Sequence, residues 1–363
     1  MVFHPWKAGL AVVLGILLGV TAFYAFELHT ALEAVAVEQF DPASARAALG
    51  PSSGGTGAAV FVEPEALDGE SPLGSEMADI RELLGSGSFV PRDVSPYSFG
   101  DPIPDEAFES YILLGTDASG FLADVIILAL QPAGAGRPIM VSLPRDLYVW
   151  NECQETLTRL NTGLGGCSGM ASGMEMMAIM IEDYTGIPID HMARTTFSGF
   201  SRMVDAMGGV TVCVDSPTRD TKSGLRIRDA GCANADGRTA LAWVRSRHPE
   251  ERVNGKWVAR SGSDYTRQRR QQDVLFQLAG KMANYATPAS LTSRLSVMAE
   301  TVRLDSSWSF ASAISAAWRY RGISESSVAR FSIDARSYRT PGGASVLVPT
   351  RYFSDQLAEV YSG

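Results

Sequence analysis

Two aspartates, Asp117 and Asp124, stand in the segment LLGTDASGFLADVIIL, one closing an apolar run and the other opening the next. A strand, turn and strand would carry both carboxylates to one edge. Two hard oxygen ligands at a strand end suit Mg²⁺, which takes one or two carboxylates and completes its octahedron with water and substrate phosphates. The same residues also fit an Asx-turn at Asp117 and a capping or solvated Asp124. In VSLPRDLYV a strand runs into Arg145. An Arg at a strand end can clamp a phosphate bidentately, or pair with its neighbour Asp146. The densest cluster joins ALAWVRSRHPE to SDYTRQRRQQDVL, where Arg245 to Arg270 holds eight Lys/Arg against three Asp/Glu. In extended chain Arg245 and Arg247 point to the same side, and on a helix Arg267 and Gln271 share a face. These four side chains can converge on one polyanion, with Arg260, Arg269 and Arg270 nearby. A solvated charged surface accounts for Arg260 or Arg269 on its own. It does not account for cations gathering here in an otherwise acidic chain.

Two other arrangements carry less. GGCSG at 165–169 mimics a nucleophile elbow around Cys167, but that elbow needs a preceding strand and a later His partner. The chain has four His, of which His4 and His29 flank an apolar N-terminal run, leaving His191 and His248.

The elements that must position these groups are strands alternating with helices. SYILLGT, DVIILALQP and PIMVSLP read as strands, and GMEMMAIMIEDYTG and FSRMVDAMG read as helices, which predicts an α/β domain. Residues 264–283 form a long amphipathic helix through Val274, Leu275, Leu278 and Met282. Helices near 288–302 and 309–321, a strand VARFSID and a last helix from Ser354 continue the same domain. The stripe Met174, Met176, Met177, Met180 and Ile181 is spaced for core packing, with an apolar ligand slot as the alternative use.

The ends and the composition bound the setting. Residues 8–26 lack any charge and follow Lys7, enough for a membrane-spanning helix with the C-terminal part outside. A cleavable signal has a shorter apolar run and a small-residue cleavage site directly after it. The expected organisation is therefore a tip and anchor over 1–28, a stalk and acidic linker over 29–104, and one domain over 105–363. Glu27 to Leu49 reads as a helical stalk with a break or cap at Asp41-Pro42, and GPSSGGTGAA reads as a flexible linker. The 363 residues carry a net charge of −9 and are 45% hydrophobic. At pI 5.1 a strongly basic nucleic-acid binder is excluded. The charge is uneven: residues 27–109 hold 16 acidic against 3 basic residues, while 110–363 hold 24 against 27. Cys153 with Cys167, and Cys213 with Cys232, suit two disulfides in an exported domain. Buried free thiols remain open, and zinc lacks both C-x-x-C spacing and a nearby His.

Taken in order, ILLGTD, ADVIILAL, VSLPRDLYV, TRLN, TGIPIDHM, FSGFSRMVDAMGGV, DGRTALAWVRSRH and DYTRQRRQQDVL resemble the LytR-CpsA-Psr family of cell-wall glycopolymer ligases. The resemblance implies a single α/β domain with a central mixed β-sheet flanked by helices, on an N-terminal membrane anchor. It implies that Asp117 and Asp124 bind Mg²⁺, with Mn²⁺ as a substitute, and that Asp117, Asp124 and Arg145 are catalytic. Arg145, Arg245, Arg247, Arg267 and Gln271 would hold the pyrophosphate of a polyprenyl-linked glycan donor. The acceptor is peptidoglycan, the setting is the membrane surface, and no nucleic acid is involved. In the reaction so implied, a muramic acid hydroxyl attacks the sugar-linked phosphorus, polyprenyl phosphate leaves, and Asp124 or another carboxylate receives the proton. The Cys213 and Cys232 pair resembles exported actinobacterial-type members. One departure stands out: the family often has Arg two residues before the second Asp, where this chain has Leu122, so that contact is missing or comes from another residue such as Arg260. A non-catalytic wall-polymer binder and a lipid-carrier pyrophosphatase are the competing functions. A DNA-binding regulator lacks a helix-turn-helix signal.

Overall fold

The apolar runs SYILLGT and DVIILALQP pair as the central hairpin of a seven-stranded sheet. In a computed structural model the described residues are 29, 30, 33, 35–50 and 107–361, apart from 118, 134–135, 261–263, 283–287 and 320–324. The expected anchor over 8–26 and the linker from 51 to 104 lie outside them. Among the described residues no helix is long and apolar enough to cross a membrane.

In the described residues β1 (Ala36–Glu38) and α1 (Pro42–Leu49) are followed by β2 (Phe108–Thr116), β3 (Ala123–Pro132) and β4 (Ile139–Ser142). A hairpin of β5 (Tyr148–Asn151) and β6 (Thr156–Arg159) leads into α2 (Gly173–Thr185), β7 (His191–Thr196), α3 (Phe197–Ala206) and β8 (Val210–Val214). Next come β9 (Thr218–Asp220), β10 (Leu225–Ile227), β11 (Gly231–Ala235), α4 (Gly237–Arg245), β12 (Glu250–Val253) and β13 (Lys256–Ala259). The rest is α5 (Asp264–Met282), α6 (Pro288–Thr301), β14 (Val302–Asp305), α7 (Phe310–Arg319), β15 (Ala329–Ser332), β16 (Ala335–Arg339), β17 (Ser345–Pro349) and α8 (Phe353–Tyr361).

The main sheet runs β1-β14-β7-β2-β3-β4-β15. Its pairs β1–β14, β7–β2 and β4–β15 are parallel and the others antiparallel, so the sheet is mixed. On one face lies α2, capped by a reciprocal Ser172–Glu175 box and ended by Gly186 at φ 70°. Met174, Met176, Met177, Met180 and Ile181 are fully buried there, so the methionine stripe is core. α3 and α4 pack so closely that a Cβ on Gly237 would meet the Ser201 carbonyl oxygen at 2.0 Å.

Two local expectations fail for nameable reasons. The helical stalk over 27–49 is interrupted: 36–38 is a strand on the sheet edge beside β14, and Phe40 and Ala45 enter the main core. The partner of β1 lies near the far end of the chain, so local patterning does not reveal it. The cap at Asp41 does form, its carboxylate accepting from the Ser44 amide at 3.0 Å. Arg245 is not in extended chain but is the last residue of α4, which Asp236 caps and whose Ala240 and Val244 are buried. Extended backbone starts only at Ser246.

Candidate functional site

The β2–β3 hairpin explains how both aspartates reach one edge. Thr116 pairs with Ala123 and Gly115 with Val125, which leaves Asp124 as the extra residue of a β-bulge. A bulge re-aims the side chain it carries. Asp117 continues directly from β2 into a tight turn in which Gly120 takes φ 73°. Its Oδ1 accepts from the Ser119 hydroxyl and from the amides of Ser119 at 3.0 Å and Gly120 at 3.1 Å, so the Asx-turn is present. These bonds, the Ser119 hydroxyl foremost, hold the Asp117 carboxyl below its usual range. Asp124 forms an ion pair with Arg145 Nη1. Arg145 Nε also lies 3.4 Å from Asp146, whose other oxygen is 3.6 Å from Arg159 Nε. Burial opposes the charge on Arg145, but Asp124 and Asp146 outweigh it and keep the guanidinium firmly protonated.

The second wall comes from α4 and α5. The Arg245 guanidinium stacks 4.4 Å from the Phe197 ring centroid. Phe197 follows Thr196, which pairs with Thr116, so the stack sits at the strand end next to Asp117. Arg267 and Gln271 are buried on a shared face of α5, as their spacing predicts. Gln271 Nε2 donates to the Val244 carbonyl at 3.1 Å, which makes it a brace for the end of α4. Gln272 Nε2 donates to Ser142 Oγ at 2.9 Å and seats α5 over the end of β4, just before Arg145. Arg260 Nε donates to Glu251 Oε2 at 2.9 Å.

Three residues of this assembly escaped the sequence reading. Asp220 is buried, and its Oδ2 accepts from Ser246 Oγ (2.8 Å), Arg247 N (3.0 Å) and His248 N (2.9 Å). It thereby fixes the backbone that carries Arg247. Burial works against its charge, yet the bonds from His248 and Ser246 keep it ionised below the ordinary range. Arg194 donates from Nη1 to the Gly120 carbonyl at 3.3 Å and pairs with Glu38, tying the Asp117 turn to β1. Arg159 joins the Asp146 pair. The motif TRLN was the available signal for Arg159; the two others depend on contacts distant in sequence.

Between the sheet and α5 lies an apolar cavity of about 350 Å³, lined by residues including Leu114, Ala193, Leu275, Leu278, Met298 and Trp308. Arg194 also borders it. One helix therefore carries Arg267 and Gln271 in its first half and cavity-lining leucines in its second. This cavity is lined by elements other than the one that carries the methionine stripe.

Cys153–Cys167 and Cys213–Cys232 are both disulfides, the second joining directly paired residues of β8 and β11. Cys167 is thus no nucleophile. Among the described residues no group of three or more His, Cys, Asp or Glu is arranged to hold a metal. A site with two carboxylates completed by water and phosphate does not need such a group.

The sequence profile of the LytR_cpsA_psr family matches residues 106–359. The Corynebacterium glutamicum protein named "Probable cell wall biosynthesis protein LcpB" is 32% identical over 162 residues, 40% of this chain and 37% of that protein. The Bacillus subtilis protein named polyisoprenyl-teichoic acid–peptidoglycan teichoic acid transferase TagU is 25% identical over 232 residues, 63% of this chain and 68% of that one. The solved structure of a LytR-Csp2A-Psr enzyme from Actinomyces oris superposes with a TM-score of 0.56 at 26% identity, covering 73% of this chain and 97% of that one. The chain thus spans well under half of the corynebacterial relative.

Proposed function

The chain belongs to the LytR_cpsA_psr family, and from that premise we propose that it transfers a polyprenyl-pyrophosphate-linked glycopolymer to peptidoglycan. The observation that carries this reading is α5, whose Arg267 and Gln271 are buried on one face, whose Gln272 bonds Ser142 at the end of β4, and whose Leu275 and Leu278 line an apolar cavity. A lipid pyrophosphate has those two parts, an anionic headgroup and a hydrocarbon tail. TagU, by its name, transfers teichoic acid from a polyisoprenyl carrier to peptidoglycan, which supports the same reaction class.

Asp117 and Asp124 fit a Mg²⁺ ion, with Mn²⁺ as a substitute. The hydrogen bonds to each carboxylate run through Oδ1, and Oδ2 offers a hard oxygen donor at adjacent strand ends. When bound, the ion supplies charge neutralisation at the pyrophosphate. The chain's own groups do the rest. Arg145 and Arg245 bind and orient the pyrophosphate oxygens, Asp220 holds Arg247 in register, and Arg194 steadies the Asp117 turn. The acceptor hydroxyl oxygen bonds to the sugar-linked phosphorus as the anhydride P–O bond breaks, polyprenyl phosphate departs, and a carboxylate at the site takes the proton. Such a transfer needs positioning and charge stabilisation more than covalent protein chemistry. The two disulfides, the acidic segment ahead of the domain and the apolar run at 8–26 support an extracytoplasmic domain on a single-pass anchor.

The test is a transfer assay with synthetic lipid-pyrophosphate glycan and peptidoglycan, run with Mg²⁺ and with Mn²⁺. Acceptor-dependent product is expected. Glycan phosphate released at the same rate without acceptor would favour a pyrophosphatase, and donor binding without product would favour a wall-polymer binder.

A further inference from the structure

The β12–β13 hairpin stands between Arg247 and Arg267, and three of the large apolar side chains exposed among the described residues fall within six of its positions: Val253 (38% exposed), Trp257 (36%) and Val258 (43%). Its two-residue turn is Asn254-Gly255 with φ of 50° and 79°, the tight pattern that matches strand twist, so the tip is preformed. Both acids of the hairpin lie at its base and are paired: Glu250 accepts from Arg219 Nε at 2.6 Å and Glu251 from Arg260 Nε at 2.9 Å. Arg252 and Lys256 therefore leave the tip with a positive excess. We propose that this tip is a membrane-docking element that enters the headgroup layer of an anionic bilayer, a contact separate from any N-terminal anchor and independent of the transferase reading.

The arrangement of side chains favours a bilayer over a folded partner or a sugar chain. Arg252 pairs with Trp257 across the ladder and Val253 with Lys256, and strand alternation adds Val258 to the second face. Apolar groups thus project from both faces of the tip. A folded partner or a glycan covers one face, whereas a bilayer interface surrounds a tip that enters it. The residue types agree: Trp settles at the headgroup level, the valines reach the acyl boundary, and Arg and Lys extend their charged ends to lipid phosphates. The hairpin is also firmly seated. The Arg219 guanidinium lies 4.4 Å from the Trp257 ring centroid, and Arg252 N donates to the Pro217 carbonyl at 2.9 Å. β9, which pairs with β12, ends in the Asp220 that holds Arg247. Docking the tip therefore sets the height of the Arg247 segment above the bilayer.

The experiment uses the full chain in nanodiscs, which expose both leaflets. The Trp257 contribution to fluorescence is the wild-type spectrum minus that of Trp257→Phe, which cancels the other tryptophans. It is compared in phosphatidylglycerol, in phosphatidylglycerol brominated near the top of its acyl chains, and in phosphatidylcholine with and without the same bromines. Bromine in the anionic lipid is expected to cut the Trp257 contribution at least about twofold, because an interfacial apolar group reaches the acyl boundary. Brominated phosphatidylcholine should leave it nearly unchanged, since the two cations then lose their attraction. Val253→Asp/Val258→Asp should abolish the quenching and Arg252→Gln/Lys256→Gln should weaken it, with thermal melting showing that each variant is folded. Equal Trp257 emission in plain and brominated phosphatidylglycerol would overturn the proposal, as would undiminished quenching in the folded variants. A wall glycan that alters Trp257 emission where brominated lipid does not would assign the tip to the glycan instead.

Discussion

Asp124 owes its position to an extra residue in a strand, and there it faces the Arg145 guanidinium as an ion pair. Both aspartates were legible in sequence as a pair at a strand edge, and so was the pairing of Arg145 with Asp146. The bulge was not, because it is a register shift of one residue between strands. Arg245 shows a different case: its backbone was misread, since the apolar face of ALAWV drives a helix through to that residue. Its planar group stacks on Phe197. Arg245→Lys keeps a positive charge but loses the stack and the bidentate fork. We expect it to raise donor KM about tenfold. A wild-type KM in the lysine variant would show that charge alone suffices.

The elements around the site are fastened by contacts that can be tested separately. α1 docks on α2 through Arg46, which pairs with Asp183 at 2.7 Å and Glu182 at 3.4 Å. Burial pushes the Asp183 carboxyl up to about 7 from 3.8, against the pull of Arg46 and with Glu152 adding to the rise. The folded chain therefore retains a proton that the unfolded chain releases. The contribution of this group to stability is complete below about pH 4 and is lost as pH rises through about 7. In melting curves from pH 4 to 8, wild type should lose stability relative to Asp183→Asn over that window. A constant difference between the two would contradict the assignment. Cys213–Cys232 closes a loop of sequence separation 19 between β8 and β11. Replacing both by Ser should lower the unfolding free energy by about 3 kcal/mol in urea titrations. An unchanged midpoint would mean that the disulfide adds nothing beyond the β8–β11 pairing.

Across the whole molecule, what was legible in sequence was what repeats locally. The strands SYILLGT and DVIILALQP, the 264–282 helix and the shared face of Arg267 and Gln271 all follow from short-range periodicity. β1, the apolar cavity and the contacts of Asp220 were not legible, because each is assembled from segments far apart in the chain. The net charge of −9 is uneven in the same way: residues 27–109 hold 16 acidic against 3 basic residues, while 110–363 hold 24 against 27. The central claim is that Asp124 and Arg245 act in one phosphotransfer centre. The most direct test is acceptor-dependent transfer of a synthetic lipid-pyrophosphate glycan by Asp124→Ala and Arg245→Ala, with folding checked by thermal melting. Both variants should remain folded and lose at least about a hundredfold in kcat/KM. Full activity in both would contradict the account.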